Sequence, residues 1–312
     1  IEMEFTFLGT GAGVPSTKRN VSSTALRLDS GEVWLFDCGE ATQHQILSST
    51  ITLSRLTKIF ITHLHGDHIF GLPGLLGSRS FQGGESELKI YGPKGLAHFI
   101  DTAVKISGTH LRYPLQILEI EDDFQVQEQG FTIKVALLEH GIDSFAYRIE
   151  EADKTGALNV EKLKSLGVQP GPIYQKLKNG DSITLDNGKV VHAGEVVGPP
   201  IKGRHLVYCG DSRFNEKTID FAINADLLIH EATFSSHMAS LAYEYYHSTT
   251  EEAARIAKTA NVKKLLLNHI SSRYQKADMV DLVSEARAVF ANTDIVEDQM
   301  TVHIPITKPS SF

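Results

Sequence analysis

The stretch Ile59-Phe60-Ile61-Thr62-His63-Leu64-His65-Gly66-Asp67-His68 sets three histidines and a carboxylate within six positions of the end of an apolar, β-branched run. Imidazole and carboxylate at this density suit Zn²⁺ and similar borderline metals. Histidine is scarce and such a cluster has no packing use, so a bare surface group is the weaker reading. His140, Asp211 and His269 repeat the pattern elsewhere, each standing just beyond a short apolar run.

The elements that must position these residues follow from the same runs. Strands are expected at 24–28, at 33–36, into the histidine cluster, and at 131–138 before Glu139-His140. Three more end in Gly210-Asp211, His230-Glu231 and Asn268-His269. Continuous apolar runs fit strands buried on both faces. If such strands lie aligned, their ends meet on one rim, and so do the polar residues just past them. Helices are expected at 41–49, carrying His44, and at 69–76 and 95–106. Ser248-Thr249-Thr250-Glu251 has capping-box spacing ahead of a helix over 252–260. The glycines of Gly9-Thr10-Gly11-Ala12-Gly13 read as a tight turn, because the dinucleotide-loop spacing fails at Val14.

Length and composition bound the answer. With 312 residues and 41% apolar content, the chain can bury a substantial core. No apolar run reaches the ~18–20 residues needed to cross a bilayer. Two cysteines, Cys38 and Cys209, make a disulfide scaffold implausible and a cytoplasmic protein the default. Cys209 reads as a small buried residue. The start, Ile1-Glu2-Met3-Glu4-Phe5, lacks the pattern of a secretory signal, and Met3 is a candidate natural start with Ile1 and Glu2 added ahead of it. A formal charge of −8 argues against non-specific coating of nucleic acid. Two divalent cations would still leave the protein acidic, so a polyanion would need local cations.

Two stretches could supply them. Pro15-Ser16-Thr17-Lys18-Arg19-Asn20 is a polar loop with paired cations. Residues 151–200 carry Lys154, Lys162, Lys164, Lys176, Lys178 and Lys189 among Gly171-Pro172, Asn179-Gly180 and Asn187-Gly188. The apolar pattern weakens there, which suggests a flexible arm inserted into a single domain spanning 1–312. From composition alone, a solvated loop is the favoured reading.

His63–His68 with His140, Asp211 and His269 resembles the metallo-β-lactamase superfamily. Narrower marks resemble ribonuclease Z, the tRNA 3′-processing endonucleases. These are 15–20, Phe36-Asp37-Cys38-Gly39-Glu40, His230-Glu231-Ala232-Thr233, His247-Ser248-Thr249 and the Gly171-Pro172…Leu177-Lys178-Asn179-Gly180 segment. The resemblance implies an α+β or α/β fold, the metallo-β-lactamase αββα sandwich, with a projecting exosite arm at 151–200. It implies two Zn²⁺ per subunit. His63, His65 and His140 would hold one, Asp67, His68 and His269 the other, and Asp211 would bridge them.

By the same resemblance Asp67 is the general base, and His247 held by Glu231 donates a proton to the leaving 3′-oxygen. The substrate would be precursor tRNA, cut to leave a 3′-hydroxyl on the tRNA and a 5′-phosphate on the trailer. Lys18 and Arg19 would approach the scissile end, and Arg273, with Tyr274, the acceptor end. Gly171, Pro172, Lys176 and Lys178 would grip the tRNA body. Homodimers are implied, the arm of one subunit serving the other. Two alternatives stay open: a phosphodiesterase, thioesterase or lactam hydrolase of small substrates on the same fold, and a scaffold on an inactive fold, though the latter usually loses ligands. The 71 positions from His140 to Asp211 leave room for an arm but not a large inserted cap. His98, His110, His192, His205, His237 and His303 fit no ligand spacing. His44 and His230 could support the site from behind.

Overall fold

The computed structural model describes residues 2–309, so the reading of Ile1 lies outside the described residues. Two seven-stranded sheets form the body. The first runs in the order Thr301–His303, Glu4–Gly9, Ser23–Arg27, Val33–Phe36, Leu56–Phe60, Leu88–Gly92, Leu115–Glu119. The second runs Thr293–Ile295, Leu265–Asn268, Leu227–Glu231, His205–Cys209, Phe145–Glu151, Phe131–Leu137, Gln125–Glu128.

Alternation along each strand explains the layering. Trp34 and Phe36 face the second sheet and stack into a buried aromatic core with Phe60, Tyr147 and Tyr208. Val33 and Leu35, one position off, pack outward against the helices Leu72–Phe81 and Leu96–Ile106. The second sheet buries its outer face, including Val207, Leu228 and Leu265, under helices Thr250–Thr259 and Met279–Arg287. Both faces of the central strands of each sheet are therefore dry, which is why these strands read as continuous apolar runs. The result is an αββα sandwich.

The two sheets are tied at one edge by charge. Glu128 Oε1 accepts from Lys89 Nζ at 2.9 Å and Tyr91 Oη at 2.5 Å, while Oε2 pairs with Lys58 Nζ at 2.9 Å. Partial burial would raise the Glu128 carboxyl, but these three donors override it and bring it from 4.5 to about 2. A depressed carboxylate stabilises the fold above its unfolded value and loses that contribution as pH falls through the folded value. Glu128→Gln is expected to cost on the order of 1 kcal/mol at neutral pH, reduced by solvent screening at this edge. Urea unfolding should show the gap narrowing from pH 4.5 towards pH 2. A gap that stays constant would mean that Glu128 acts by packing.

A second unit is formed chiefly by Glu150–Arg204. It contains helices Val160–Ser165, Pro172–Lys178 and Ala193–Val196 and a small hairpin pairing Ile183 with Val191. Leu163, Val168, Leu177, Ile183, Val191 and Val196 form a buried cluster of its own. Its weak apolar pattern reflects a small core, six buried side chains with a few partly buried ones, Leu158 and Tyr174 among them, packed against it.

Some local expectations shift. The helix expected over 69–76 is two helices, Gly66–Ile69 and Leu72–Phe81, divided at Gly71. The capping box sits one residue later, with Thr249 capping and Glu252 answering, because the Ser248 hydroxyl donates to Ser212 O at 2.5 Å. Edge strands Leu115–Glu119 and Gln125–Glu128 went unread, since half-exposed strands lack a long apolar run. Among the described residues no helix is long and apolar enough to cross a membrane.

Candidate metal centre

The strand Leu56–Phe60 delivers Thr62 and His63 to the rim, and the chain then turns into the short helix Gly66–Ile69. Gly66 leaves room there for the exposed Phe70 ring, which a Cβ would meet at 2.2 Å and displace. This turn sets Asp67 and His68 beside His63. His140, Asp211 and His269 arrive from the ends of Phe131–Leu137, His205–Cys209 and Leu265–Asn268. His269 takes a left-handed backbone, φ 60°, which points its ring back into the rim.

The ligand atoms fall into two groups. His63, His65 and His140 form one; Asp67, His68, Asp211 and His269 form the other, with the atoms of each within 4.8 Å of one another. Asp211 Oδ2 lies between them, 3.3 Å from His63 Nε2, 3.4 Å from His68 Nε2, 3.2 Å from His269 Nε2 and 3.9 Å from His140 Nε2. Asp67 Oδ2 is 3.2 Å from His68 Nε2 and 3.4 Å from His269 Nε2, and Gly13 donates its N–H to the same oxygen at 3.1 Å.

The site's own chemistry tests whether a metal fits. His63 Nε2 and His68 Nε2 are buried with no hydrogen-bond partner among the described residues. His140 Nε2 and His65 Nδ1 face each other at 3.2 Å. Converging imidazole nitrogens around one carboxylate oxygen are poorly satisfied by each other and well satisfied by a cation. The residues fit.

Outer contacts aim the rings. His68 Nδ1 donates to Asp37 Oδ2 at 2.7 Å. His63 Nδ1 donates to Thr62 Oγ1 at 2.9 Å, and that hydroxyl donates on to Asp37 Oδ2 at 2.9 Å. His140 Nδ1 donates to Tyr246 O at 2.8 Å. His269 Nδ1 donates to Thr233 Oγ1 at 2.9 Å, and Thr233 donates to Glu231. Two buried carboxylate–threonine pairs thus orient three of these rings, Asp37–Thr62 those of His63 and His68 and Glu231–Thr233 that of His269.

Electrostatics follow the crowding. Burial would raise the Asp211 carboxyl, but His269, His68 and His63 hold it well below the usual range. Asp67 behaves likewise: burial opposes ionisation, and His68 and His269 prevail. Burial, with His68 alongside, lowers His63 to about 4. His68 is raised despite burial, by Asp211, Asp37 and Asp67. His247 is opposed by burial, yet Glu231, whose Oε1 lies 2.8 Å from its Nδ1, raises it to about 9.

Asp37, Thr62, Thr233 and Gly13 carry positioning roles that reading the residues did not assign. Asp37 was findable, since it ends the apolar strand Val33–Phe36 just as Asp211 ends His205–Cys209. Asp37→Ala is expected to weaken metal affinity about 10–100-fold. Competition with a chromophoric chelator measures it, and unchanged affinity would remove Asp37 from the site.

The cluster opens into a cavity of about 540 Å³ that His247, Phe234, Tyr245 and Arg273 also line. Arg273 is exposed, with its guanidinium 5.0 Å from the Phe234 ring centroid. Lys18 is exposed on its loop. Arg19 is different. It is 9% exposed, and its Nη1 donates to Thr10 Oγ1 at 2.9 Å and Val296 O at 2.6 Å. The expected substrate contact of Arg19 is therefore corrected to bracing the loop from within. Gly171, Pro172, Lys176 and Lys178 are exposed on the second unit, where Pro172 begins a helix. Glu231 is 2% exposed, so it acts only through its neighbours.

A family model described as Anti-Pycsar protein Apyc1 matches residues 3–145, under half of the chain. Ribonuclease Z of Bacillus velezensis is 52% identical over 305 residues, covering 97% of this chain and 99% of that protein. Ribonuclease Z of Listeria monocytogenes is 55% identical over 298 residues, covering 95% and 97%. The crystal structure of human tRNase Z, short form, superimposes with a TM-score of 0.70 at 32% identity, covering 97% of this chain and 100% of that one. A metallo-beta-lactamase fold protein from Bacillus subtilis, at 22% identity and a TM-score of 0.67, shares the fold. With seven metal-competent residues on one rim of an αββα sandwich, and full-length relatives at this identity, the chain belongs to the ribonuclease Z family.

Proposed function

We propose that this protein is a zinc-dependent endoribonuclease that removes 3′ trailers from precursor tRNA, leaving a 3′-hydroxyl on the tRNA and a 5′-phosphate on the trailer. The observation that carries the reading is the seven-residue donor set beside an imidazole paired with a buried carboxylate at 2.8 Å, in a cavity open to a large substrate. The names of the full-length relatives supply the substrate class.

His63, His65 and His140 would hold one zinc, Asp67, His68 and His269 the second, and Asp211 both. When bound, such a pair supplies Lewis acidity to a phosphodiester and a nucleophile at neutral pH. The chain's residues do the rest. The Asp67 carboxylate stays ionised throughout the working range, so it orients the attacking water and accepts its proton. A carboxylate held this low is a poor proton store, and the proton passes on to solvent. His247, charged at neutral pH against Glu231, donates a proton to the departing 3′-oxygen, which is a poor leaving group as an alkoxide. Thr233 and Ser212, both bonded to Glu231, keep that carboxylate aimed at His247.

The protein works in the cytoplasm as a homodimer, each arm serving the partner's active site. Lys18 and Arg273 contact the scissile end, while Gly171, Pro172, Lys176 and Lys178 grip the tRNA body through backbone phosphates. Remote contacts of this kind raise affinity without touching the chemistry. Replacing 156–199 by two glycines is expected to weaken kcat/KM on precursor tRNA by about 100-fold and to leave a small phosphodiester within about 3-fold. Equal losses on both would refute the exosite.

The decisive assay incubates the zinc-loaded protein with a precursor tRNA bearing a 3′ trailer and maps both product ends. Cleavage elsewhere, or a 3′-phosphate on the tRNA, would overturn the reading.

A further inference from the structure

Arg213 lies two residues past Asp211 and outside the donor set. Its Nη2 donates to Glu139 Oε1 at 2.7 Å, and its own N–H donates to Glu139 O at 3.0 Å. The guanidinium carbon sits 4.2 Å from the Tyr243 ring centroid and 4.3 Å from that of Tyr246, and Nη1 reaches Tyr243 O at 3.4 Å. Glu139 precedes His140, and Tyr246 precedes His247.

These contacts close a ring. His140 Nδ1 donates to Tyr246 O at 2.8 Å, so the chain runs His140, Tyr246, Arg213, Glu139 and back to His140. Tyr246 adopts a left-handed backbone at φ 58°, uncommon for an aromatic residue, and this aims its carbonyl at His140 while His247 turns to the cavity. The His140 and His247 ring centroids are 5.2 Å apart. The Arg213 side chain touches both supporting segments, at Glu139 and at Tyr246. A planar guanidinium can lie on two rings and still direct N–H groups to a carboxylate in its plane.

We propose that Arg213 is a positioning residue that sets the separation of the metal ligand His140 from the proton donor His247. The proposal rests on the roles given to those two histidines under the proposed function. Through Tyr246 O it aims the His140 lone pair, and through the Tyr246 backbone it places His247 over the leaving oxygen. A lysine could keep the ion pair with Glu139 but offers no plane to the tyrosines.

The test uses the zinc-loaded full chain with Arg213→Ala and Arg213→Lys, on precursor tRNA and on bis(p-nitrophenyl) phosphate. For Arg213→Ala, kcat on precursor tRNA is expected to fall about 10–100-fold with KM within about 3-fold. On the small ester, whose leaving group needs no proton, the fall should be about 10-fold or less. Zinc retention against a chelator should weaken about 10-fold, a readout independent of turnover. Millimolar guanidinium ion should restore part of kcat in Arg213→Ala, urea should not, and Arg213→Lys should lie between Arg213→Ala and the unaltered protein. A rise in KM alone would mean that Arg213 grips RNA directly and would overturn the proposal. So would unchanged kcat and zinc retention, or a loss matched by a lower melting temperature with no guanidinium rescue. If the unaltered protein leaves precursor tRNA intact, the tRNA reading fails, while zinc retention and the small ester still decide the role of Arg213.

Discussion

Asp67→Ala is expected to lower kcat on precursor tRNA by about 10³–10⁴-fold, the largest effect of any single change considered for this protein. Three consequences of the substitution combine. The second donor group loses one of its two carboxylates, so Asp211 is the one carboxylate of that group still facing the Nε2 atoms of His68 and His269. The Gly13 N–H, which donates to Asp67 Oδ2 at 3.1 Å, loses its acceptor, and the glycine turn loses its anchor at the rim. The attacking water loses the group that orients it and takes its proton. Asp67→Asn separates these effects, because it keeps an oxygen donor and the size of the side chain while removing the negative charge. If metal holding is the whole role, Asp67→Asn with restored metal content should recover most activity. If proton acceptance matters, it should remain within about 10-fold of Asp67→Ala even when metal-loaded. Full turnover by metal-replete Asp67→Ala would remove the residue from the chemistry altogether.

How much of this was legible in the chain depended on the kind of signal. His63–His68 is a dense local cluster, and the strands leading to Asp211 and His269 are continuous apolar runs because both their faces are buried, while the half-buried strand Phe131–Leu137 leads to His140. Such runs mark their own ends, so the polar residues just beyond them were visible as a rim. Asp37 ends a run in the same way and was quoted only within a family motif, because a lone aspartate after a strand is as readily a turn. Thr62 and Thr233 were not legible in role. A threonine that relays a histidine to a carboxylate looks in sequence like any β-branched strand residue. Arg19 misled for a related reason. Paired cations in a polar loop look solvated, and nothing local reveals that Val296, from the far end of the chain, takes one of them inward together with nearby Thr10. The compact core of Glu150–Arg204 was hidden by its size, since six apolar side chains spread over that span leave no periodic trace.

His247→Ala is expected to cost about 10²–10³-fold in kcat on precursor tRNA and less than about 10-fold on bis(p-nitrophenyl) phosphate. The difference between the substrates is the argument. A ribose 3′-oxygen leaves badly without a proton, whereas p-nitrophenolate departs as a stabilised anion. Glu231 holds His247 in its charged form, with the 2.8 Å contact at Nδ1 leaving Nε2 for the substrate. Glu231→Gln should therefore follow the same pattern, since an amide no longer favours the imidazolium and the His247 value falls back towards 6.5. Glu231 also accepts the Thr233 hydroxyl that orients His269, so its substitution should additionally loosen zinc, which His247→Ala should not. Zinc retention by chelator competition thus splits two residues that a tRNA assay alone would group. Were His247→Ala to lose equally on both substrates, the imidazole would be acting on the phosphoryl charge instead of the leaving oxygen.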